Sequence, residues 1–147
     1  MDLFVNAVLT ASSVALFCNW FRYTCLLILA AETPRDHSEQ VAEANNLAFL
    51  EVREDLRKHD AANLDRLHNC LAADFAILAR LRERINTAML NPGLEDVMLM
   101  IHFRTISTCF RLTRNHLQGF ALDALEEMSV VVVHLANQLG ERQATAA

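Results

Sequence analysis

The N-terminal segment, residues 3–31, contains a single charged residue, Arg22, in 29 positions. As a helix it would be roughly 43 Å long, and the hydrocarbon core of a bilayer is about 30 Å thick. A cluster is formed by Trp20, Phe21, Arg22 and Tyr23. An Arg beside Trp and Tyr suits a membrane–water interface because the guanidinium can reach the headgroups. We therefore predict that residues 1–31 form a membrane anchor that spans from Leu3 to about Phe21. The apolar run 24–31 would then pack on protein or lie at the membrane surface.

Two other interpretations of this segment stay open. A secretory signal peptide needs a basic start, but this chain begins with Met1 and Asp2, although Leu29-Ala30-Ala31 would serve as a cleavage site. A helix buried in the core of a soluble oligomer would also be apolar all round. The membrane helix is the first prediction and the oligomer core is the second.

Small residues recur along the same segment. Ala7, Ala11 and Ala15 are spaced by four, the spacing that lets transmembrane helices approach closely. Chance alone would also produce such a pattern in a segment rich in alanine. If the pattern is functional, it predicts a helix-packing interface on the N-terminal helix.

The remainder of the chain has the composition of a solvated helical protein. Of the 13 Lys and Arg and the 18 Asp and Glu, all except Arg22 and Asp2 lie in residues 32–147. This acidic balance argues against a nucleic-acid partner, because phosphate binding needs clustered positive charge. The chain has only three Gly and two Pro, so tight turns are few and long helices are expected. The predicted fold class is all-α.

Proline and glycine residues divide residues 32–147 into helical segments. Pro34 predicts a linker over 32–38, followed by a helix from about Glu39 to Lys58. Residues 59–63 could form a loop, but we favour a continuous or slightly kinked helix there. Pro92-Gly93 predicts a strong stop, and Gly140 predicts the end of the last helical region.

The last helical region, Leu94–Leu139, would begin with the acids Glu95 and Asp96 and would be interrupted near residues 115–119. Residues 39–140 should therefore form an antiparallel helical hairpin or bundle, folded back at Pro92-Gly93. Residues 141–147 would form a frayed tail.

The most regular pattern is a heptad-like seam between residues 64 and 88. Its first set of positions, seven apart, is Leu64, Leu71, Leu78 and Ile85, and the interleaved set is Leu67, Asp74, Leu81 and Ala88. Polar residues such as Arg82 fall largely off this seam. Such an apolar stripe must be covered in water, either by the Leu94–Leu139 region or by another copy of the chain. The seam therefore predicts a helix-packing or oligomer interface.

Asp74 is the exception on the seam. Either the seam is approximate there and the carboxylate reaches solvent, or the carboxylate is buried in an ion pair that fixes register. Candidate partners lie on a polar stripe of Arg104, Arg111 and Arg114. That stripe could also be a solvated face, or a site for an anionic ligand or lipid headgroup.

Signals for chemistry are weak. Asp65-x-x-His68 resembles half of a two-metal motif, and the chain has no Gly-rich phosphate loop and no nucleophile motif. The four Cys have no C-x-x-C spacing, so they are expected to be small apolar side chains in a reducing compartment. We expect no cofactor, no structural or catalytic metal and no enzymatic activity.

The sequence thus predicts a non-enzymatic, membrane-anchored helical scaffold or accessory subunit. We expect it to self-associate or to organise a larger complex, at a membrane of the bacterial inner-membrane type, with a cytoplasmic oligomer as the alternative. A helical bundle that binds a small molecule or a lipid is the alternative function, and a metal-dependent enzyme that uses Asp65 and His68 is a second one. An apolar pocket lined by His or Arg would favour the binding module, whereas a seam buried between chains would favour the scaffold.

Overall fold

The computed structural model describes residues 1–31, 35–58, 61–89 and 93–146, and these ranges are helical almost throughout, without a strand. The chain forms two compact units, Met1–Ala31 and Glu32–Ala147. The all-α prediction is confirmed. The six α-helices are α1 (Asp2–Ala30), α2 (Ser38–Asn45), α3 (Phe49–Arg57), α4 (Leu64–Met89), α5 (Leu94–Thr113) and α6 (Gln118–Ala146), and a short 3-10 helix covers Ala61–Asn63.

The first unit is the single helix α1, which confirms the predicted long apolar helix. It is uninterrupted through the Trp20–Tyr23 cluster, so residues 24–30 continue the same helix. Two of its hydroxyl groups form hydrogen bonds within the helix: those of Thr10 and Ser13 donate to backbone carbonyl oxygens one turn earlier, at 2.8 Å. By length and composition, α1 is the one helix in the described ranges that could cross a membrane.

The second unit is organised around α6. This helix carries more buried side chains than any other, and α2, α3, α4 and α5 all pack against it. The run of valines from Val130 to Val133 is helical, as its flanking residues indicate. The middle of α6 therefore forms the centre of the core, with Leu125, Met128, Val131 and Val132 fully buried.

Helices α4 and α5 are antiparallel, as the predicted fold-back requires. Their side chains meet in four successive pairs along the two helices: Asp65 with Arg114, His68 with Ser107, Phe75 with Phe103, and Arg82 with Asp96. Of the residues that predicted the fold-back, Asn91 and Pro92 lie outside the described residues, and Gly93 immediately precedes α5. The interruption predicted near 115–119 is also confirmed, because α5 ends at Thr113 and α6 begins at Gln118.

The predicted seam is covered within one chain. Leu67, Leu71 and Leu78 are buried, whereas Leu64, Leu81 and Ile85 are partly exposed. The side chain of Ala88 lies outside the described part. Because α6 packs against α4 in the same chain, the buried portion of the seam forms part of the intramolecular core.

The predicted single helix from Glu39 to Lys58 is wrong, because α2 and α3 are separate. Asn46 adopts the left-handed conformation with φ of 52°, and the Leu47 amide donates a 2.9 Å hydrogen bond to the Ala42 carbonyl. This is a Schellman-type helix end, and asparagine tolerates the left-handed conformation better than most residues do. Of the segment 59–63, His59 and Asp60 lie outside the described residues.

Asp74 explains how a new helix, α3, can begin so soon after α2 ends. Its buried carboxylate accepts a 2.8 Å hydrogen bond from the backbone amide of Ala48, and it also interacts with the amide of Phe49. Ala48 precedes α3 and has no capping side chain of its own, so Asp74 caps α3 from α4. The alternative in which the Asp74 carboxylate reaches solvent is therefore wrong. In the part of the chain described, the carboxylate forms no salt bridge with Arg104 or Arg111.

The predicted end at Gly140 is also wrong, because α6 continues to Ala146, and the residues expected to fray, 141–146, are helical. Gly140 instead permits close packing: a Cβ placed there would lie 2.3 Å from the Cβ of His37. Beside it, the His37 amide donates a 3.0 Å hydrogen bond to Oδ1 of Asn137. The linker predicted over 32–38 ends one residue early, since α2 begins at Ser38, and residues 32–34 lie outside the described part.

We predict that Asp74→Leu destabilises the second unit, because it removes the acceptor of the part-buried hydrogen bond from the Ala48 amide at the start of α3. An unsatisfied buried donor costs about 1–3 kcal/mol. Asp74→Asn is the matched control, since its amide oxygen can still accept this hydrogen bond. Thermal melts of the full chain in mild detergent should place Asp74→Leu below Asp74→Asn. An Asp74→Leu variant as stable as the parent would show that this cap contributes nothing.

Candidate functional site

A groove lies between the middle parts of α4 and α5. Its volume is about 540 Å³, and it is open to solvent along one side. The α4 wall is formed by Ala72, Phe75, Ala76 and Ala79, and the α5 wall by Met100, Phe103, Arg104, Ser107, Thr108 and Arg111. The three alanines leave room that larger side chains would fill. Where the helices do meet, the rings of Phe75 and Phe103 stack with centroids 3.9 Å apart.

Two arginines of the predicted stripe line this groove. Arg104 and Arg111 are exposed and stand seven residues apart on α5, on either side of Ser107. Within the described residues, no carboxylate forms a salt bridge with either guanidinium. Arg114 lies elsewhere, because it pairs with Asp65. The groove therefore combines an apolar wall with two cationic groups.

His68 lies beside Ser107, one of the residues that line the groove. Its Nε2 lies 2.8 Å from the Ser107 hydroxyl, and its ring stacks on Phe110 with centroids 4.6 Å apart. Burial lowers the pKa of His68, and Arg111 lowers it further. His68 is therefore neutral at pH 7. The arginines remain the charged groups that face the groove.

A second polar cluster, which the sequence analysis missed, is buried at the other end of the α4–α5 pair. The Arg82 guanidinium forms a two-pronged ion pair with Asp96, with Nε 2.7 Å from Oδ2, and both side chains are buried. Burial lowers the pKa of Arg82 to about 10, so it stays charged at pH 7. Arg82 stands outside the heptad positions of the seam, yet its side chain is buried. On an α-helix of 3.6 residues per turn, position 82 falls within about 20° of Leu71, and this periodicity could have located it.

Helix α6 completes this cluster. Gln138 accepts a 2.8 Å hydrogen bond from Arg82, and its amide nitrogen lies 3.0 Å from Nε2 of His134. Arg142 reaches Asp96 at 3.3 Å and Asn86 at 2.9 Å. Burial lowers the pKa of His134, and the nearby Arg82 lowers it further. Since the Gln138 amide donates to Nε2, His134 is neutral with its proton on Nδ1.

The other candidate residues do not come together as a reactive site. Asp65 is exposed and pairs with Arg114, while His68 is buried against Phe110 and Ser107. Among the described residues, no group of three or more His, Cys, Asp or Glu side chains could hold a metal. None of the four cysteines forms a disulfide bond. Ala7, Ala11 and Ala15 lie exposed on α1, and the interface predicted there stays a prediction.

No protein-family model, curated protein or solved structure matches this chain. Two features carry chemical information: the apolar surface of α1 and the arginine-lined groove between α4 and α5.

We predict that the free energy of unfolding decreases as the pH falls below about 6.5. The pKa values of His134 and His68 are lowered in the folded state, so below this pH these histidines bind protons more readily in the unfolded state. Each such site contributes a slope of at most about 1.4 kcal/mol per pH unit. His134→Gln keeps an acceptor for the Gln138 amide and removes the titrating group. Thermal melts between pH 7.5 and 5.5 should show a shallower decline for this variant. Parallel pH profiles for the parent and His134→Gln would contradict the role of His134.

Proposed function

We propose that this protein is a non-enzymatic, membrane-anchored accessory subunit in which α1 holds the helical second unit at a bilayer. One observation carries the proposal: α1 is a continuous helix of 29 residues, and the most apolar part of it contains no buried residue. Exposed apolar surface costs about 25 cal/mol per Å² in water, so this helix needs lipid or other helices around it. Its length suits a bilayer core.

Self-association of the chain would use surfaces other than the seam. The buried residues of the seam are already covered within the chain, so they support no dimer. Ala7, Ala11 and Ala15 on α1 offer a surface on which another transmembrane helix could pack. We propose a membrane of the bacterial inner-membrane type, with the second unit in a reducing compartment that keeps thiols such as Cys109 free.

We predict that the full chain stays in the membrane pellet after alkaline carbonate extraction and is released by detergent. Lysine near the middle of a span costs about 2.5–3.5 kcal/mol per residue, so Leu9→Lys combined with Ser13→Lys should move the protein out of the pellet. Asp2→Lys is the control, because it places the charge at the helix end. Intact-mass measurement checks that residues 1–31 are retained. A parent chain that is monomeric and soluble without detergent would contradict the proposal, and loss of residues 1–31 would identify a signal peptide.

The groove supports a second candidate function, the binding of an amphipathic anion such as a fatty acid or a lipid with an anionic headgroup. Its alanine and phenylalanine wall suits an alkyl chain, and Arg104 and Arg111 stand where an anionic headgroup would lie. This candidate does not require α1 to be an anchor, since the groove belongs to the second unit alone.

We predict that a photoactivatable fatty acid labels the detergent-solubilised full chain on residues lining the groove. Arg104→Gln with Arg111→Gln should reduce this labelling about tenfold, because losing 1.4 kcal/mol of binding free energy is a tenfold change. Arg80→Gln with Arg84→Gln is the matched control, since both residues are exposed on α4 away from the groove lining. Labelling spread evenly over both units, or equal in the two double variants, would contradict a binding groove.

A further inference from the structure

The outward face of α5 carries a long uncharged stripe. Its members fall on one side of the helix at 3.6 residues per turn, over about 27 Å of helix axis, and all are exposed: Leu94, Val97, Ile101, Thr105, Thr108 and Leu112. We call this set the α5 stripe. Leu94 is 75% exposed, Val97 42%, Ile101 49% and Leu112 73%. Four large apolar side chains on one face of a surface helix are more than the single exposed residues that most surfaces show.

Two further exposed apolar side chains follow α5 in the sequence. Leu117 and Phe120, in the turn and the first residues of α6, are 53% and 67% exposed. Aromatic and leucine side chains of this kind are the ones that interfacial helices insert between lipids.

Two exposed arginines, Arg104 and Arg111, lie beside the α5 stripe, and no carboxylate among the described residues forms a salt bridge with either of them. Acidic residues lie towards its ends: Glu95 is exposed beside Leu94, and Asp65 pairs with Arg114. Arg104 and Arg111 flank the stripe on the side of the groove. An apolar face bordered by arginine is the pattern of a helix that lies in the plane of an anionic membrane, because the guanidinium groups reach phosphate while the apolar side chains enter the acyl boundary.

We propose that the α5 stripe is a second membrane contact, and that its partner is the surface of a bilayer containing anionic phospholipid. This inference rests on the proposed function, because α1 would hold the second unit close to that bilayer. Seven residues separate the end of α1 at Ala30 from the start of α2 at Ser38. Fully extended, seven residues reach about 25 Å, so an anchored α1 would keep the second unit at a high effective concentration near the bilayer.

A second copy of the chain fits the α5 stripe less well. A symmetric pair of α5 helices would use the same patch on both copies. Arg104 lies near the middle of the stripe, so Arg104 of one copy would approach Arg104 of the other, and no carboxylate among the described residues forms a salt bridge with it. An anionic lipid surface offers the opposite charge over the same area.

The test measures the depth of the α5 stripe in reconstituted vesicles with tryptophan as the probe. Trp20 is the one tryptophan in the chain, so Trp20→Phe gives a silent background. Ile101→Trp places the probe on the α5 stripe. Ile77→Trp is the matched control, because Ile77 is 37% exposed on α4 and does not line the groove. The full-length variants are reconstituted into phosphatidylcholine vesicles with or without phosphatidylglycerol, and emission is compared with and without brominated acyl chains.

We expect brominated lipid to quench about half of the emission from tryptophan at position 101 in anionic vesicles and little of it at position 77. Adding Arg104→Gln and Arg111→Gln should reduce the quenching at position 101. Vesicles that float with the protein but leave position 101 unquenched would overturn the α5 contact and leave the anchor standing. A blue shift at position 101 without quenching would show a protein partner instead and would also overturn it. A protein that fails to float with the vesicles contradicts the proposed function of α1.

Discussion

The ion pair between Arg82 and Asp96 fixes how the three long helices of the second unit meet. A buried guanidinium is stable only when a carboxylate and further acceptors surround it, because the cost of removing both charges from water is large. Here α4 supplies Arg82, α5 supplies Asp96, and α6 supplies Gln138 and Arg142. Sliding any one of these helices by a turn would separate the charges inside the core. The pair therefore selects one register among the several that an alanine- and leucine-rich bundle could adopt.

The same region shows why the sequence predicted the fold class and the hairpin but not the details of the core. A heptad repeat correctly indicated that α4 has a buried face. An α-helix of 3.6 residues per turn drifts about 20° per heptad from that repeat, so over three heptads the buried face rotates. Leu81 and Ile85 consequently lie half-exposed, and Arg82 lies in the core. Charge alone made Arg82 look like a surface residue, whereas the buried partner that makes its burial possible is distant in sequence.

Other differences have the same origin, a partner that a local pattern cannot reveal. Asn46 ends α2 through its left-handed conformation, and Asp74, on another helix, caps the start of α3. Glycine often ends a helix, but Gly140 lies inside α6, and the close approach of His37 explains why a residue without a side chain stands there. The candidate site was predictable in part: periodicity placed Arg104 and Arg111 on one stripe, but the groove beside them depends on Ala72, Ala76 and Ala79 facing that stripe across the hairpin.

The contact between α2 and α6 has a mechanical consequence. The chain enters the second unit at His37, whose amide is held by Asn137 and whose Cβ rests against Gly140. Any tension applied through the N-terminal segment would reach the folded unit at this point first and would load the α2–α6 contact before the rest of the bundle. α2 has only eight residues, and its unfolding would leave in place the ion pair between Arg82 and Asp96 that joins α4 and α5. Tension that unfolds α2 would therefore lengthen the segment between α1 and the α4–α5–α6 core by the residues of α2.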